Sequence, residues 1–250
     1  MRLLILSDIH ANLEALEACL DAAPEYDQVY NLGDIVGYGA NPNEVTKRSR
    51  ELGSIFVRGN HDKACSGLSD LSDFNPIAGF AALWTREKLT DDHLQFLRAL
   101  PEGPVSPIDN LQLVHGSPRD EDEYILMTSD AYTILADVTV PLTFFGHTHV
   151  QRCSLLEKTD EGKTFAPNYK STKGKQTATL EVKPHTKYLV NPGSVGQPRD
   201  NDPRAAFLLY DTEAGLITFY RVPYDIALAQ EKIFSAGLPE RLAIRLEEGR

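Results

Sequence analysis

Five short polar motifs, each placed directly after a run of apolar residues, limit the possible folds of this 250-residue chain more than any other feature. Apolar runs such as residues 3–6 are typical of strands that are buried on both faces of a sheet. In open α/β sheets, binding sites form in the crevice beyond the carboxyl ends of the strands. The sequence therefore predicts that five strands bring these motifs to one edge of the fold. The motifs are Asp8-Ile9-His10, Gly33-Asp34-Ile35-Val36-Gly37, Gly59-Asn60-His61-Asp62, His115-Gly116 and Gly146-His147-Thr148-His149.

The spacing of apolar residues predicts an α/β first half and a strand-rich second half. In the first half we expect strands at 3–6, 29–32, 55–57, 111–114 and 142–145, and helices at 43–52, 76–89, 92–99 and 130–137. Asn12 can cap a further helix, whose apolar face would consist of Leu13, Leu16, Leu20 and Ala23. In the second half we expect strands at 150–156, 177–183, 187–191, 205–211 and 216–222, a hairpin turn near 213–215, and helices at 225–236 and 239–248.

The organisation of the chain favours one domain over residues 1–250, because no linker or internal repeat divides it. Residues 66–105 are a candidate helical cap over the motif edge. The polar stretch at 157–176 is expected to be an exposed loop or hairpin.

The charge and the cysteine content limit which binding partners and which cellular compartment are consistent with the sequence. The chain has 36 acidic and 25 basic residues, a formal net charge of −11, which is unfavourable for general binding to nucleic acid. Its three cysteines are widely spaced and form no CxxC pattern, which fits a reducing compartment. We find no signal peptide and no apolar run long enough to span a bilayer, so a cytoplasmic location is expected. Nothing in the sequence indicates an oligomeric state.

The residue types in the motifs are those of a metal site. In an extended chain, residues two apart point to the same side, so Asp8 can converge with His10, and His147 with His149. Gly33, Gly59 and Gly146 permit sharp turns or close backbone approach. Carboxylate, imidazole and amide ligands without thiolate suit manganese, iron, cobalt, nickel or zinc. A single Asp-x-His or Gly-Asp is more often an ordinary strand end or turn, so the prediction depends on all five motifs together.

The ordered set of motifs resembles the calcineurin-like metallophosphoesterase superfamily, whose pattern is DxH, GDxxG, GNH(D/E), a lone His and GHxH. The stretch 191–200 resembles a loop of small single-domain, phosphodiesterase-like bacterial and archaeal members, so the resemblance covers about residues 2–211. It implies a four-layer α/β/β/α sandwich of two mixed β-sheets flanked by helices.

The resemblance also implies roles for individual residues. Asp8, His10 and His149 would bind one metal ion, Asn60, His115 and His147 would bind a second, and Asp34 would bridge the two. His61 would be the general acid, held in place by Asp62. The two ions would be divalent transition metals, with manganese as the first choice and iron, zinc, cobalt or nickel as alternatives.

Three arginines are secondary candidates for contacts with the substrate. Arg58 occupies a position where some protein-phosphatase members carry a phosphate-binding arginine. Arg119 and Arg199 follow loops near the expected site. For each of them a solvated position on the surface is the alternative.

The implied function is hydrolysis of a small phosphate ester by a metal-bridging hydroxide, with a phosphodiesterase or a broad phosphoesterase as the first hypothesis. A phosphatase acting on phosphoserine and phosphothreonine, or on dinucleoside polyphosphates, is the second. A catalytically silent scaffold of the same fold is the third, although His61 and all seven proposed ligands are present.

Overall fold

Two mixed sheets of six strands each form the centre of the protein in a computed structural model that describes residues 1–157 and 162–250. The first sheet has the order β3-β2-β1-β11-β12-β9, and the second has the order β4-β5-β6-β10-β7-β8. The strands are β1 (Arg2–Leu6), β2 (Gln28–Asn31), β3 (Ile55–Phe56), β4 (Val105–Ile108), β5 (Leu111–Leu113), β6 (Leu142–Phe144), β7 (Arg152–Leu156), β8 (Gly162–Phe165), β9 (Gln176–Glu181), β10 (Lys187–Asn191), β11 (Ala205–Asp211) and β12 (Leu216–Val222).

The strands that carry the motifs run parallel within each sheet. In the first sheet, β1 pairs in parallel with β2, and β2 with β3. In the second sheet, β6 pairs in parallel with β5 and with β10. Parallel neighbours end at the same edge, so the loops after β1, β2 and β3 meet there, and those after β5 and β6 meet beside them.

The alternation of side chains along the strands explains the layers. Leu3 and Ile5 point between the sheets and pack with Phe144 and Phe219, whereas Leu4 and Leu6 point to the other face and pack against α1. Both faces of β1 are therefore buried, which accounts for its continuous apolar run. The helices that cover the sheets are α1 (Leu13–Ala22), α2 (Pro42–Glu51), α3 (Asn60–Ser66), α4 (Pro76–Lys88), α5 (Asp91–Arg98), α6 (Thr128–Asp137), α7 (Ile226–Ser235) and α8 (Glu240–Glu248).

The observed architecture confirms the predicted α/β fold of two mixed sheets flanked by helices. Asn12 caps α1 as predicted, with its side chain accepting a hydrogen bond from the Ala15 amide at 3.1 Å. The strand β4 and the short helix α3 were not predicted, and β8 lies in the stretch that was expected to be an exposed loop or hairpin. In the stretch 157–176, β8 pairs antiparallel with β7, while residues 158–161 lie outside the described residues. Among the described helices the longest, Pro76–Lys88, has 13 residues, and none is long and apolar enough to cross a membrane.

Candidate metal centre

The backbone of the motif loops departs from the extended geometry that the spacing suggested. Asp8, His10, Asp34, His147 and His149 all have positive φ, between 50° and 65°. Residues with a Cβ adopt this left-handed conformation at a cost, and such residues cluster at functional sites. The predicted convergence of the side chains is therefore achieved by tight turns and not by an alternating strand, so the stated reason for it was wrong.

One group of side chains gathers around His10 and His149. Their Nε2 atoms lie 3.1 Å apart. Asp8 Oδ1 lies 3.3 Å from His149 Nε2, and Asp34 Oδ2 lies 3.5 Å from His10 Nε2. All four residues are at most 2% exposed. Carboxylate and imidazole donors packed this closely can hold a metal ion.

A second group of side chains gathers around His115 and shares Asp34 with the first. His115 Nε2 lies 3.1 Å from His147 Nδ1 and 3.5 Å from Asp34 Oδ2. The amide oxygen of Asn60 lies 3.3 Å from the same His115 nitrogen. The side chain of Asp34 is therefore within reach of ligand atoms on both sides.

The outer nitrogen of each of the four histidines is paired with a backbone carbonyl. A carbonyl can only accept, so each outer nitrogen carries a proton, and in the neutral ring the inner nitrogen presents a lone pair to the centre. Two such lone pairs facing each other at 3.1 Å cannot share a hydrogen bond, whereas a cation between them would satisfy both. The residues therefore fit bound metal ions. The outer pairs are His10 Nδ1 to Val36 O at 3.1 Å, His115 Nδ1 to Leu32 O at 2.7 Å, His147 Nε2 to Asp122 O at 3.0 Å and His149 Nδ1 to Gln197 O at 2.6 Å.

Burial shifts the titration of most of these groups toward their neutral forms. It raises the pKa of Asp8 to about 7 and lowers the pKa of His147 to about 3. His115 and Asp34 are exceptions, because their mutual attraction outweighs the effect of burial: it raises the pKa of His115 to about 10 and holds the pKa of Asp34 well below its ordinary value. Bound cations would restore the charge of Asp8 and displace the proton from His115.

His61 lies beside the centre without contributing to either group. Its ring packs on Tyr38 at 4.3 Å, on His10 at 4.9 Å and on Phe74 at 4.9 Å between centroids. Its backbone amide donates to Asp34 Oδ1 at 2.8 Å. The side chain is 5% exposed, and its Nδ1 has no hydrogen-bond partner among the described residues. Burial lowers the pKa of this ring to about 4.

Asp62 does not orient the His61 ring, so that part of the prediction was wrong. Its carboxylate instead accepts hydrogen bonds from four backbone amides: Asp34 at 2.9 Å, Ile35 at 2.9 Å, Gly59 at 3.0 Å and Val36 at 3.3 Å. These bonds tie the loop after β2 to the start of α3. Asp62 therefore fixes the backbone that carries Asp34.

A glycine contact completes this junction. A Cβ built on Gly59 would lie 2.0 Å from Asp34 Oδ1, a distance that no side chain could tolerate. The close backbone approach predicted for Gly59 therefore has a specific role, which is to leave room for the Asp34 carboxylate.

The three candidate arginines occupy different surroundings. Arg58 forms ion pairs with Glu121 and Glu102, and Arg119 forms an ion pair with Asp137 on a separate, exposed part of the surface. Arg199 alone lies at the centre, since its guanidinium Cζ is 5.8 Å from the Tyr38 ring centroid. Its positive charge contributes to lowering the pKa values of His10 and His149, although burial is the larger cause.

Residues of the stretch 191–200 form hydrogen bonds with the backbone of the first motif. Gly196 donates its amide hydrogen to the Asp8 carbonyl at 3.0 Å, and Ser194 donates its hydroxyl to the same oxygen at 2.7 Å. Asn12 donates to the Gly196 carbonyl at 2.9 Å. These bonds hold the strained turn at Asp8 in place.

A cleft of about 220 Å³ opens over the centre, and sequence reasoning missed several of its residues. Tyr124 stacks on His147 with 3.7 Å between ring centroids, and Lys63 reaches Glu121 at 2.9 Å. Tyr38 directly follows the Gly33–Gly37 motif, a signal that sequence reasoning had available. Tyr124 follows no motif, so the sequence contained no signal that could have identified it. The candidate cap contributes to the rim through Ser69, Asp70, Asp73, Phe74, Asn75 and Ala78.

The fold and the candidate metal centre are those of a phosphoesterase, and a comparison with known families agrees. A model of the calcineurin-like phosphoesterase superfamily domain matches residues 1–215, and the chain therefore belongs to that superfamily. It is similar to the uncharacterized protein MJ0912 of Methanocaldococcus jannaschii, with 36% identity over 250 residues that cover 98% of this chain and 97% of that protein.

Solved structures agree with this assignment. The chain is similar to a metallophosphoesterase from Sphaerobacter thermophilus, with 42% identity, a TM-score of 0.86, and coverage of 100% of this chain and 99% of the other. It also shares its fold with the hypothetical protein PH1004 from Pyrococcus horikoshii OT3, with 24% identity, a TM-score of 0.78, and coverage of 100% and 98%.

Proposed function

We propose that the protein is a two-metal phosphoesterase that hydrolyses phosphate esters, with phosphodiesters as its first substrate class. The observation that supports the proposal is the arrangement of the inner nitrogens, which brings four imidazole rings together around a shared Asp34. Asp8, His10 and His149 would hold one ion, and Asn60, His115 and His147 the other. Manganese is the first candidate, and iron, zinc, cobalt and nickel share the preference for these donors.

Divalent cations held there would neutralise the phosphoryl oxygens of a bound ester and lower the pKa of a metal-bound water molecule to near neutrality. His61 is assigned the transfer of a proton to the leaving oxygen, because its ring lies next to His10 and lines the cleft. Its low pKa means that the ring is neutral in the free protein at pH 7. The negative charge of a bound phosphate ester would favour the protonated form that proton donation requires.

The roles of the remaining predicted residues follow from their contacts. Asp62 acts as a positioning residue for Asp34, because its carboxylate accepts hydrogen bonds from four backbone amides around that residue. Arg199 is retained as a substrate contact, whereas Arg58 and Arg119 are occupied by carboxylates. We also infer that the chain forms one domain, and that it works in the cytoplasm, where its buried free cysteines remain reduced.

The decisive experiment is an activity screen of metal-free protein reconstituted separately with manganese, iron, zinc, cobalt and nickel. The substrates are bis-p-nitrophenyl phosphate, p-nitrophenyl phosphate, a phosphoserine peptide and a dinucleoside polyphosphate. We expect hydrolysis of the diester above all, dependent on added metal and absent in Asp34→Asn. Protein that holds two ions and hydrolyses none of the four substrates would instead support the scaffold hypothesis.

A further inference from the structure

Arg199 and Arg245 converge on Tyr38 at the edge of the candidate metal centre. Their Cζ atoms lie 5.8 Å and 5.9 Å from the centroid of the Tyr38 ring. The same ring lies 4.7 Å from that of His10 and 4.3 Å from that of His61. One aromatic side chain therefore connects the two guanidinium groups to the centre.

Helix α8 brings Arg245 to this place. Leu242 and Leu246, one turn apart on α8, are buried in a cluster that includes Tyr38 and Ile233 of α7. Arg245 lies on the same helix between these two contacts and is partly buried. Its position is therefore set by the packing of the chain's last helix and not by a flexible surface loop.

Among the residues that the structure describes, no carboxylate side chain pairs with either guanidinium. Within residues 1–157 and 162–250, Arg199 donates to the amide oxygen of Gln197 at 3.1 Å, and Arg245 donates from Nε to the main-chain oxygen of Arg250. The Nε of Arg199 is buried and unpartnered within the same residues. By contrast, the nearby Arg221 pairs with Asp200.

Two cations in this position repel each other. Burial, followed by the positive charge of Arg199, lowers the pKa of Arg245 to about 10. Burying two like charges beside each other is unfavourable, and a bound anion would offset part of that cost. A guanidinium fork is suited to phosphate oxygens, to which it can donate two parallel hydrogen bonds.

We propose that Arg199 and Arg245 form an anion subsite beside the metal centre, and that the substrate carries a second anionic group, a phosphate or a carboxylate, a few bonds from the scissile phosphate. This inference rests on the proposed function, because the metal centre holds the first phosphate. Arg245 is then a specificity-determining residue, which selects esters that carry a second anionic group over esters of neutral alcohols.

Binding of non-hydrolysable analogues to metal-loaded protein tests the proposal without turnover. Isothermal titration calorimetry compares butylphosphonate, propane-1,3-diphosphonate and 4-phosphonobutyrate on the wild type, Arg245→Gln and Arg241→Gln. Arg241 lies on the same helix and pairs with Glu248, so its variant is the matched control. Metal content and the circular dichroism spectrum are measured for every variant, and Arg245→Lys tests whether charge without the guanidinium fork suffices.

We expect the wild type to bind at least one analogue with two anionic groups about tenfold more tightly than butylphosphonate, and Arg245→Gln to remove most of that preference. Arg241→Gln should retain it. The analogue that shows the preference identifies the second group as phosphate or carboxylate. Equal affinity of the wild type for all three analogues would overturn the subsite and leave the metal centre intact. Failure of all three to bind would contradict the proposed function as well.

Discussion

At the scale of single residues, the chemistry of the centre depends on which ring nitrogen faces inward. Three of the four histidines present Nε2, whereas His147 presents Nδ1, because Asp122 accepts from its other nitrogen. The motifs predicted the seven candidate ligands but not this choice, which is made by carbonyl groups far away in sequence. The outer hydrogen bonds also fix the orientation of each ring, a feature that typically strengthens metal binding.

Asp34 is the residue whose loss is expected to affect both ions. Asp34→Asn replaces the shared carboxylate with a neutral amide, so we expect metal content to fall from about two ions per chain to below one. His10→Ala removes a ligand from one group only and should leave about one ion. Inductively coupled plasma mass spectrometry of the purified variants measures this. An unchanged content of two ions in Asp34→Asn would contradict the bridging role.

His61 is expected to affect proton transfer and not metal binding. His61→Ala should retain its metals, because the seven proposed ligands are untouched, and should lose roughly 10²–10⁴-fold in rate on esters with poor leaving groups. The loss should be smaller for p-nitrophenyl esters, whose leaving group departs as an anion. The measurement is a plot of log rate against leaving-group pKa, with a steeper negative slope expected for the variant.

Asp62→Asn serves as the comparison for His61→Ala. Because Asp62 holds the backbone around Asp34 and does not contact the His61 ring, its variant should lose metal without steepening the slope. Parallel lines for wild type and His61→Ala would assign His61 to binding instead of proton donation.

At the scale of secondary-structure elements, the hardest features to predict were those that depend on contacts between loops. Helix α3 begins within the Gly59–Asp62 motif. Its residues are largely polar, so the sequence has no apolar stripe there from which a helix could be predicted. Strand β4 contains Pro107, which weakens the strand signal. The longer elements were predicted to within a few residues, because their apolar periodicity is complete in the local sequence.

The loop that carries Asp122 is attached to α3 and its neighbour Arg58 by charged groups. Glu121 accepts from Arg58 at 2.8 Å and 2.9 Å and from Lys63 at 2.9 Å. The adjoining Asp122 carbonyl accepts from His147. This ion-pair cluster thus links the helix after β3 to a histidine after β6.

Glu121→Gln is expected to destabilise the protein by about 1–3 kcal/mol at pH 7, since it weakens charged hydrogen bonds that are largely buried. Although burial opposes it, the bonds from Arg58 and Lys63 lower the pKa of Glu121. The stabilisation is therefore present above the pKa of the unfolded chain and is lost as the pH falls through the lower folded value.

Urea unfolding with EDTA present, at pH 7 and at successively lower pH, measures this difference. Glu213→Gln is the control, because the Glu213 side chain is 89% exposed and should give no measurable change. A difference between wild type and Glu121→Gln that grows on acidification would contradict the assigned sign.

At the scale of the whole molecule, one core joins the two sheets and a second joins the terminal helices to the centre. Leu3 and Ile5 of the first sheet pack with Phe144 and Val190 of the second. Tyr38 packs with residues of α4, α7 and α8. The order of motifs allowed the sandwich to be predicted through its family resemblance. The position of α8 could not be predicted, because its contacts involve residues about 200 positions away along the chain.

These shared cores lead us to expect a single unfolding transition that responds to metal as one unit. Circular dichroism reports on the whole chain, and the fluorescence of Trp84, the chain's one tryptophan, reports on α4 within the candidate cap. Each ion that binds only the folded state, at 100 times its dissociation constant, adds about 2.7 kcal/mol. Removing both ions with EDTA should lower the midpoint of both signals together, by roughly 10–20 °C for a chain of this length. Asp34→Asn should show a much smaller shift, since it has fewer ions to lose. If Trp84 fluorescence changed at a lower temperature than the dichroism, residues 66–105 would unfold separately, and the one-domain proposal would be withdrawn for that segment.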